Sequence, residues 1–466
     1  MKSKAIALLL SVFFLAIPVS AHAQSEVSLW LTNSDRSALF QLQTPPIPLT
    51  KAPATSQIID VDAAKTYQTI DGFGFALTGG SAQLIEHMAP DARAALLHQL
   101  FATDDNSIGV SYLRLTVGAS DMNDHVFSYD DLPKGETDAA LAKFSIDPDK
   151  ADVIPVMKQI LAINPHIQVL ASPWSAPLWM KTSGEARGGV LKPEYFAAYA
   201  TYFVKYIQAM KAEGITIDTL TIQNEPLNEK NTPSMLMLET ELDIFIKDNL
   251  GPAFKKANIT TKIVLYDHNL DHPLYPLSIL RDPAANKYID GTGFHLYGGT
   301  TDAMTQVHDA FPRKNLYFTE QSVTSRSDDT INLSKPVAQI IIGATRNWSR
   351  NVLLWNLAAD PNNGPHTDDG GCTFCRGAVT IDGDKTTSLL AYYTLAHASK
   401  FVRPGSIRIE SNTLESLPNV AFKTPDGKKV LIVSNTTATP QKFDVRTGTN
   451  IFTTSLNAGS VGTYIW

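Results

Sequence analysis

The sequence predicts a (β/α)8 barrel with an attached β-sandwich side domain built from both ends of the chain. Three observations lead there. Between residues 67 and 398, short apolar strands alternate with helical stretches, the pattern of a parallel sheet with helical crossovers. Eight strand candidates can be counted in that span, beginning near Ile70, Val110, Ile167, Thr219, Lys262, Ile289, Asn315 and Asn351. On either side of it, residues 24–66 and 399–466 change to period-two alternation between turn residues, which is all-β character.

The first 23 residues stand apart from both domains. Met1-Lys-Ser-Lys4 is a basic segment, Ala5 to Ile17 an apolar one, and Ala21-His-Ala23 a small-residue processing site. Together they read as a signal peptide, so the mature protein is expected to begin at Gln24 and to be exported, to the periplasm, the cell surface or the medium. An uncleaved anchor helix is the alternative. No later run approaches the roughly 18 apolar residues of a membrane span. With a net charge of -7 over 466 residues and no Lys/Arg run, the chain carries no footprint for nucleic acid.

In the N-terminal part of the sandwich, Val27 to Leu31 and Ser56 to Val61 are strand candidates around a link containing Pro45, Pro46, Pro48 and Pro53. The C-terminal part supplies Gly405 to Ile409, Val420 to Lys423, Lys429 to Val433, Gln441 to Val445 and Val461 to Trp466. Within the barrel, Pro193 to Ala212 shows Phe196, Tyr199, Phe203, Tyr206 and Met210 at helical spacing, with Gly214 where a C-terminal cap belongs. These aromatics are read as core packing. An open doubly wound sheet is the competing fold, but the glycines from Gly72 to Gly80 have the wrong spacing for a dinucleotide-binding turn.

Active sites of such barrels lie at the C-terminal ends of the strands. Strand 2 carries Arg114 and leads to Asp121; strand 3 ends Ser172-Pro-Trp174; strand 4 ends Asn224-Glu225. Strand 5 ends Asp267-His-Asn269, strand 6 His295-Leu-Tyr297, strand 7 Glu320-Gln321 and strand 8 Trp355-Asn356. Aromatic faces pack on sugar rings while carboxylates, amides and His bind hydroxyls, so this rim suits a neutral polyhydroxylated substrate. Glu225 and Glu320 on strands 4 and 7 would face each other, as retaining glycoside hydrolysis needs. Asn224 could bind a sugar 2-hydroxyl and Arg114 could keep Glu320 ionised.

Blander readings stand beside these. Glu225 could belong to a surface turn, Arg114 could neutralise a buried acid, and His295 could be a core imidazole. Asp267 and His268 lack a third ligand at metal-binding spacing, so no metal is expected. Cys372 and Cys375, without a helix start or further soft ligands nearby, are read as a local disulfide pinning a loop.

Ile70-Asp-Gly-Phe-Gly, Leu113-Arg-Leu-Thr-Val-Gly-Ala-Ser-Asp121, Ala171-Ser-Pro-Trp-Ser-Ala-Pro177, Gln223-Asn-Glu-Pro226, Phe318-Thr-Glu-Gln321 and Leu354-Trp-Asn-Leu357 resemble, in order, the motifs of glycoside hydrolase family 30. The resemblance spans about residue 57 to the C-terminus. It implies a barrel fused to a sandwich made from both termini, a retaining mechanism and no cofactor. By motif it makes Glu225 the general acid/base and Glu320 the nucleophile. It gives Arg114, Asp121, Trp174, Asn224 and Trp355 contacts to the sugar in the −1 subsite. His295 and Tyr297 match in part, since the family segment usually has another aromatic between them.

Two departures bear on substrate. Glucosylceramidase-like members usually carry Thr-Asp-Ala after the first strand, where this chain has Thr78-Gly-Gly-Ser81. The segment Asn363 to Cys375 resembles the branch associated with endo-β-1,6-glucanases, so an endo-β-1,6-glucanase acting on a β-linked glucan is the expected enzyme. It is expected to act as a monomer. A β-glucosylceramidase or exo-β-glucosidase, a xylan-directed enzyme and a non-catalytic carbohydrate-binding protein are the alternatives.

Overall fold

A computed structural model describes residues 26–53, 55–104, 106–324 and 332–466. The signal peptide expected at residues 1–23 lies outside them. The eight barrel strands are Gly72–Leu77, Tyr112–Thr116, Gln168–Ser172, Thr219–Thr221, Lys262–Asn269, Ile289–His295, Asn315–Glu320 and Ser349–Asn356. All pair in parallel and in chain order, and the eighth closes on the first through the Asn351–Gly72 register. Closure removes the open-sheet alternative.

Alternation along each strand sorts its side chains. Tyr112 turns into the barrel interior with Leu170 and Leu353, whereas Leu113 and Leu115 join the large core between barrel and helices. Helix Phe196–Ala212 buries Phe196, Tyr199, Phe203, Tyr206 and Met210 in that core. Gly214 ends it at φ +87°, a left-handed conformation that a side chain would strain, and Ile215 N–H donates back to Met210 O at 2.9 Å. Among the described residues no helix is long and apolar enough to cross a membrane.

Both chain ends build the second domain. Strand Glu26–Thr32 pairs with Val461–Ile465, and Ile58–Thr69 pairs with Ile407–Ser411 on one edge and Gln441–Thr447 on the other. The strand expected over Ser56 to Val61 thus runs on to Thr69, past the domain limit expected at residue 66. Asn450–Leu456 is a strand that the alternation did not reveal. Thr50 bridges to Ile451, so the ends of the sheet fold toward each other around Ile59, Leu431, Phe443, Phe452 and Trp466. The intervening residues Val430, Ile432 and Phe422 turn the other way and join the barrel core. One alternating strand set therefore closes its own core and welds the sandwich to the barrel. His397, on helix Leu390–Ser399, ties the junction by hydrogen bonds to Thr32 Oγ1 (2.8 Å) and Thr463 Oγ1 (2.9 Å). Burial pushes its imidazole down to about 3, which keeps it neutral.

Candidate active site

The fourth barrel strand is shorter than its sequence suggests: the ladder stops at Thr221. From there the chain turns across the mouth. Asn224 N–H donates to Pro173 O at 2.7 Å and Glu225 N–H to Asp267 O at 3.0 Å, which sets Glu225 at φ +46°. A non-glycine residue in that region is strained, typically by about 1–3 kcal/mol, and such strain concentrates at functional sites.

Arg114 lies on the inward face of the second strand, fully buried, and is the hub of the site. Its Nη1 donates to Glu320 Oε2; its Nη2 donates to Asn224 Oδ1 (2.7 Å), Asp267 Oδ2 (2.8 Å) and Ser172 Oγ (3.2 Å). The guanidinium also stands 4.8 Å from the ring centre of Trp174 and 5.7 Å from that of Trp355. These two indoles lie 5.3 Å apart and wall one side. Tyr297 is 45% exposed, yet its hydroxyl reaches inward to donate to Glu320 Oε1 at 2.9 Å.

His295 joins the two halves. Its Nε2 lies 3.0 Å from Asp267 Oδ1, and its Nδ1 lies 3.2 Å from Glu225 Oε1 and 3.9 Å from Glu320 Oε1. Asn228 Nδ2 donates to the other oxygen of Glu225 at 2.6 Å. One oxygen each of Glu225 and Glu320 and one His295 nitrogen fall within 4.8 Å of one another. Three such groups could converge on a cation, but here Arg114, Tyr297 and Asn228 already engage the two carboxylates. That is the bonding of a carboxylate pair held by donors.

Four acids, Asp121, Glu225, Asp267 and Glu320, share this volume with two bases, Arg114 and His295. Against the upward push of burial, Arg114 and His295 hold Asp267 well below the usual carboxylate range. It is therefore ionised, and its Oδ2 also accepts from Ser172 Oγ (2.7 Å) and Thr221 Oγ1 (2.6 Å). An ionised Asp267 fixes a proton on Nε2 of His295. Burial lowers His295, but the charge of Glu320 and the bonds to Asp267 and Glu225 outweigh it and raise it to about 9. Burial raises Glu225, and the hydrogen bond and charge of His295 reverse that and hold it at about 2. A single proton is thus shared across the 3.2 Å between Nδ1 and Oε1, resting mainly on the imidazole. Burial also pushes Glu320 upward, opposed by His295 and Arg114. Asp121 is raised to about 8 by burial and by the charges of Glu320 and Glu225. Its buried Oδ1 has no hydrogen-bond partner among the described residues, which leaves it placed to bond a ligand hydroxyl.

Every site residue read from the sequence converges here. Glu225, Glu320, Arg114, Asn224, His295 and Tyr297 form one bonded network, with Asp121, Trp174 and Trp355 around it. Asp267, read from the sequence only as a rim residue at the end of the fifth strand, is the buried anchor of the network, a role that depends on a bulge. Tyr266 and Asp267 have φ of +70° and +60°, and the register against the sixth strand steps from Tyr266 to His268. Asn228 carried no periodic signal at all. The Thr78-Gly-Gly-Ser81 turn has a packing reason: a Cβ on Gly79 would stand 1.9 Å from Asn123 Nδ2, and one on Gly80 would stand 2.5 Å from Met122 O. Thr78 and Ser81 donate to Asn356 Oδ1 at 2.9 and 2.7 Å, which ties the first strand's end to the eighth's. A disulfide joins Cys372 to Cys375 against Trp174 and Trp355.

Comparison with known proteins agrees with this fold. Residues 70–402 match the glycosyl hydrolase family 30 TIM-barrel domain and residues 405–464 match the family's β-sandwich domain. An endo-1,6-β-D-glucanase of Neurospora crassa is 34% identical over 397 residues, covering 81% of each chain. The lysosomal acid glucosylceramidase of Mus musculus is 29% identical and covers 88% of this chain and 84% of its own. A solved endo-β1,6-glucanase superposes with a TM-score of 0.87 at 34% identity, covering 95% of this chain and 99% of its own. Two carboxylates at the barrel mouth, one just past strand 4 and one at the end of strand 7, a sandwich from both chain ends and these matches over most of the chain lead to one conclusion: the protein belongs to glycosyl hydrolase family 30 and is a glycoside hydrolase.

Proposed function

We propose that the protein is an exported retaining endo-β-1,6-glucanase in which Glu225 is the general acid/base and Glu320 the nucleophile. The observation that carries the mechanism is the spacing of the two carboxylates, with one oxygen of each within 4.8 Å. Retaining glycosidases hold their pair about 5–5.5 Å apart, whereas inverting ones need about 6.5–9.5 Å to admit a water.

In the first step Glu320, ionised and held by Arg114 and the Tyr297 hydroxyl, attacks the anomeric carbon. The glycosidic oxygen departs with the proton that Glu225 draws from its shared bond with His295. Asn224 is placed to bond the sugar 2-hydroxyl, Asp121 to bond another hydroxyl, and Trp174 and Trp355 to cover the ring. In the second step water attacks the glucosyl-enzyme, Glu225 takes its proton, and Glu320 is released as carboxylate. Both steps use only side chains of this chain, and neither needs a cofactor or a second subunit. The monomer is the working unit in this reading.

The linkage rests on similarity. Curated endo-1,6-β-glucanases from three fungi are 31–34% identical over most of the chain, and the Asn363 to Cys375 segment follows that branch. Export rests on the first 23 residues. A β-glucosylceramidase or exo-β-glucosidase activity has the 29% identical glucosylceramidases as its support. Product analysis on the β-1,6-glucan pustulan separates the two. Gentio-oligosaccharides are expected from the earliest time points; glucose alone, with glucosylceramide a better substrate, would instead support the exo-acting reading.

A further inference from the structure

After the eighth strand, the segment from Asn363 to Cys375 crosses the barrel rim as a strap. Thr367 N–H donates to Asp121 O at 3.0 Å, and its hydroxyl donates to Thr232 O at 2.6 Å. Thr232 N–H in turn donates to Gly370 O at 3.4 Å, and Pro365 O would lie 3.1 Å from a Cβ on Gly80. The strap therefore fastens to the loops that follow the first, second and fourth strands. At its far end Cys375 Sγ lies 3.9 Å from Ser322 Oγ, which is 3.1 Å from the Tyr297 hydroxyl that bonds Glu320.

The disulfide closes this end into a two-residue tip, Thr373-Phe374, whose base packs on Trp174 and Trp355. Asn363 Nδ2 holds the tip from the other side through Thr373 O at 3.2 Å. Phe374 at the apex is 75% exposed, more than any other large apolar side chain among the described residues. It contributes nothing to either core. A rigidly mounted aromatic face, left in water beside a sugar site and joined to it through two contacts, is the arrangement that binds the apolar face of a pyranose ring.

We propose that Phe374, carried on the disulfide-bonded tip, is a binding platform for the glucosyl unit adjoining the one held by Trp174 and Trp355. This rests on the glucan reading above. It also makes the strap the part of the site that senses chain length, because a substrate with only one sugar does not reach the tip.

The test compares the wild type with Phe374→Ala and Phe374→Trp on pustulan and on β-D-glucosyl fluoride, whose leaving group is a single atom. In F374A the ratio of kcat/KM for pustulan to that for the fluoride is expected to fall about tenfold, mostly through KM, the factor set by partial burial of one Phe ring. F374W is expected to restore the ratio. A wild-type ratio in F374A, with the wild type active on pustulan, would overturn the platform and leave the glucan reading standing. A wild type that cleaves the fluoride but not pustulan would overturn both.

Discussion

Glu320→Gln is expected to lower turnover of pustulan by on the order of 10⁴-fold or more, about 5.4 kcal/mol of barrier at 1.36 kcal/mol per decade. The amide keeps the shape of the carboxylate and can still accept from the Tyr297 hydroxyl, so the loss isolates the nucleophile from the packing around it. Arg114 keeps a second anionic partner in Asp267 at 2.8 Å. The variant should therefore fold, and an unchanged thermal transition would show that it does. Initial rates on pustulan measure the effect. A folded E320Q enzyme within tenfold of the wild type would remove Glu320 from the chemistry.

Glu225→Gln is expected to cost about 10²–10⁴-fold on pustulan, the usual range for a positioned general acid/base. Its signature differs from that of E320Q. On glucosyl fluoride, which needs little protonation of the leaving atom, the first step should survive and the glucosyl-enzyme should accumulate for want of a base. Azide, a nucleophile that needs no base, should then restore turnover and yield β-glucosyl azide. The pH dependence follows from the shared proton. His295 is raised to about 9, so the proton is present below that value and lost as pH rises through it. Wild-type turnover of pustulan should fall across that window, and E225Q should show no such limb. A variant that azide does not rescue would contradict the assignment of Glu225.

Much of this site was legible because barrel geometry turns strand order into spatial order. Eight apolar runs whose ends carry Arg114, Asn224, His295, Glu320 and Trp355 can place those residues on one rim only if the sheet closes, and it does. What stayed hidden depended on local breaks in that regularity. Asp267 enters the network because its strand bulges at Tyr266 and Asp267, and alternation cannot foresee a bulge. Asn228 reaches Glu225 through a turn whose course is set by backbone bonds to the neighbouring strand ends. The segment Asn363 to Cys375 was recognisable in sequence as a disulfide loop and by its family resemblance, but not as a strap over the rim, since its contacts to Asp121 and Thr232 are made across more than 130 residues of chain. The strand Asn450–Leu456 escaped for a simpler reason: its alternation is broken by three successive partly or fully exposed residues, Thr453 to Ser455.

A double displacement by two carboxylates is tested by the anomeric configuration of the first product. Proton NMR of pustulan cleavage, followed before mutarotation, should show the β-anomer at the new reducing end. An α-anomer formed first would mean a single displacement by water, and the pairing of Glu225 with Glu320 proposed here would be wrong.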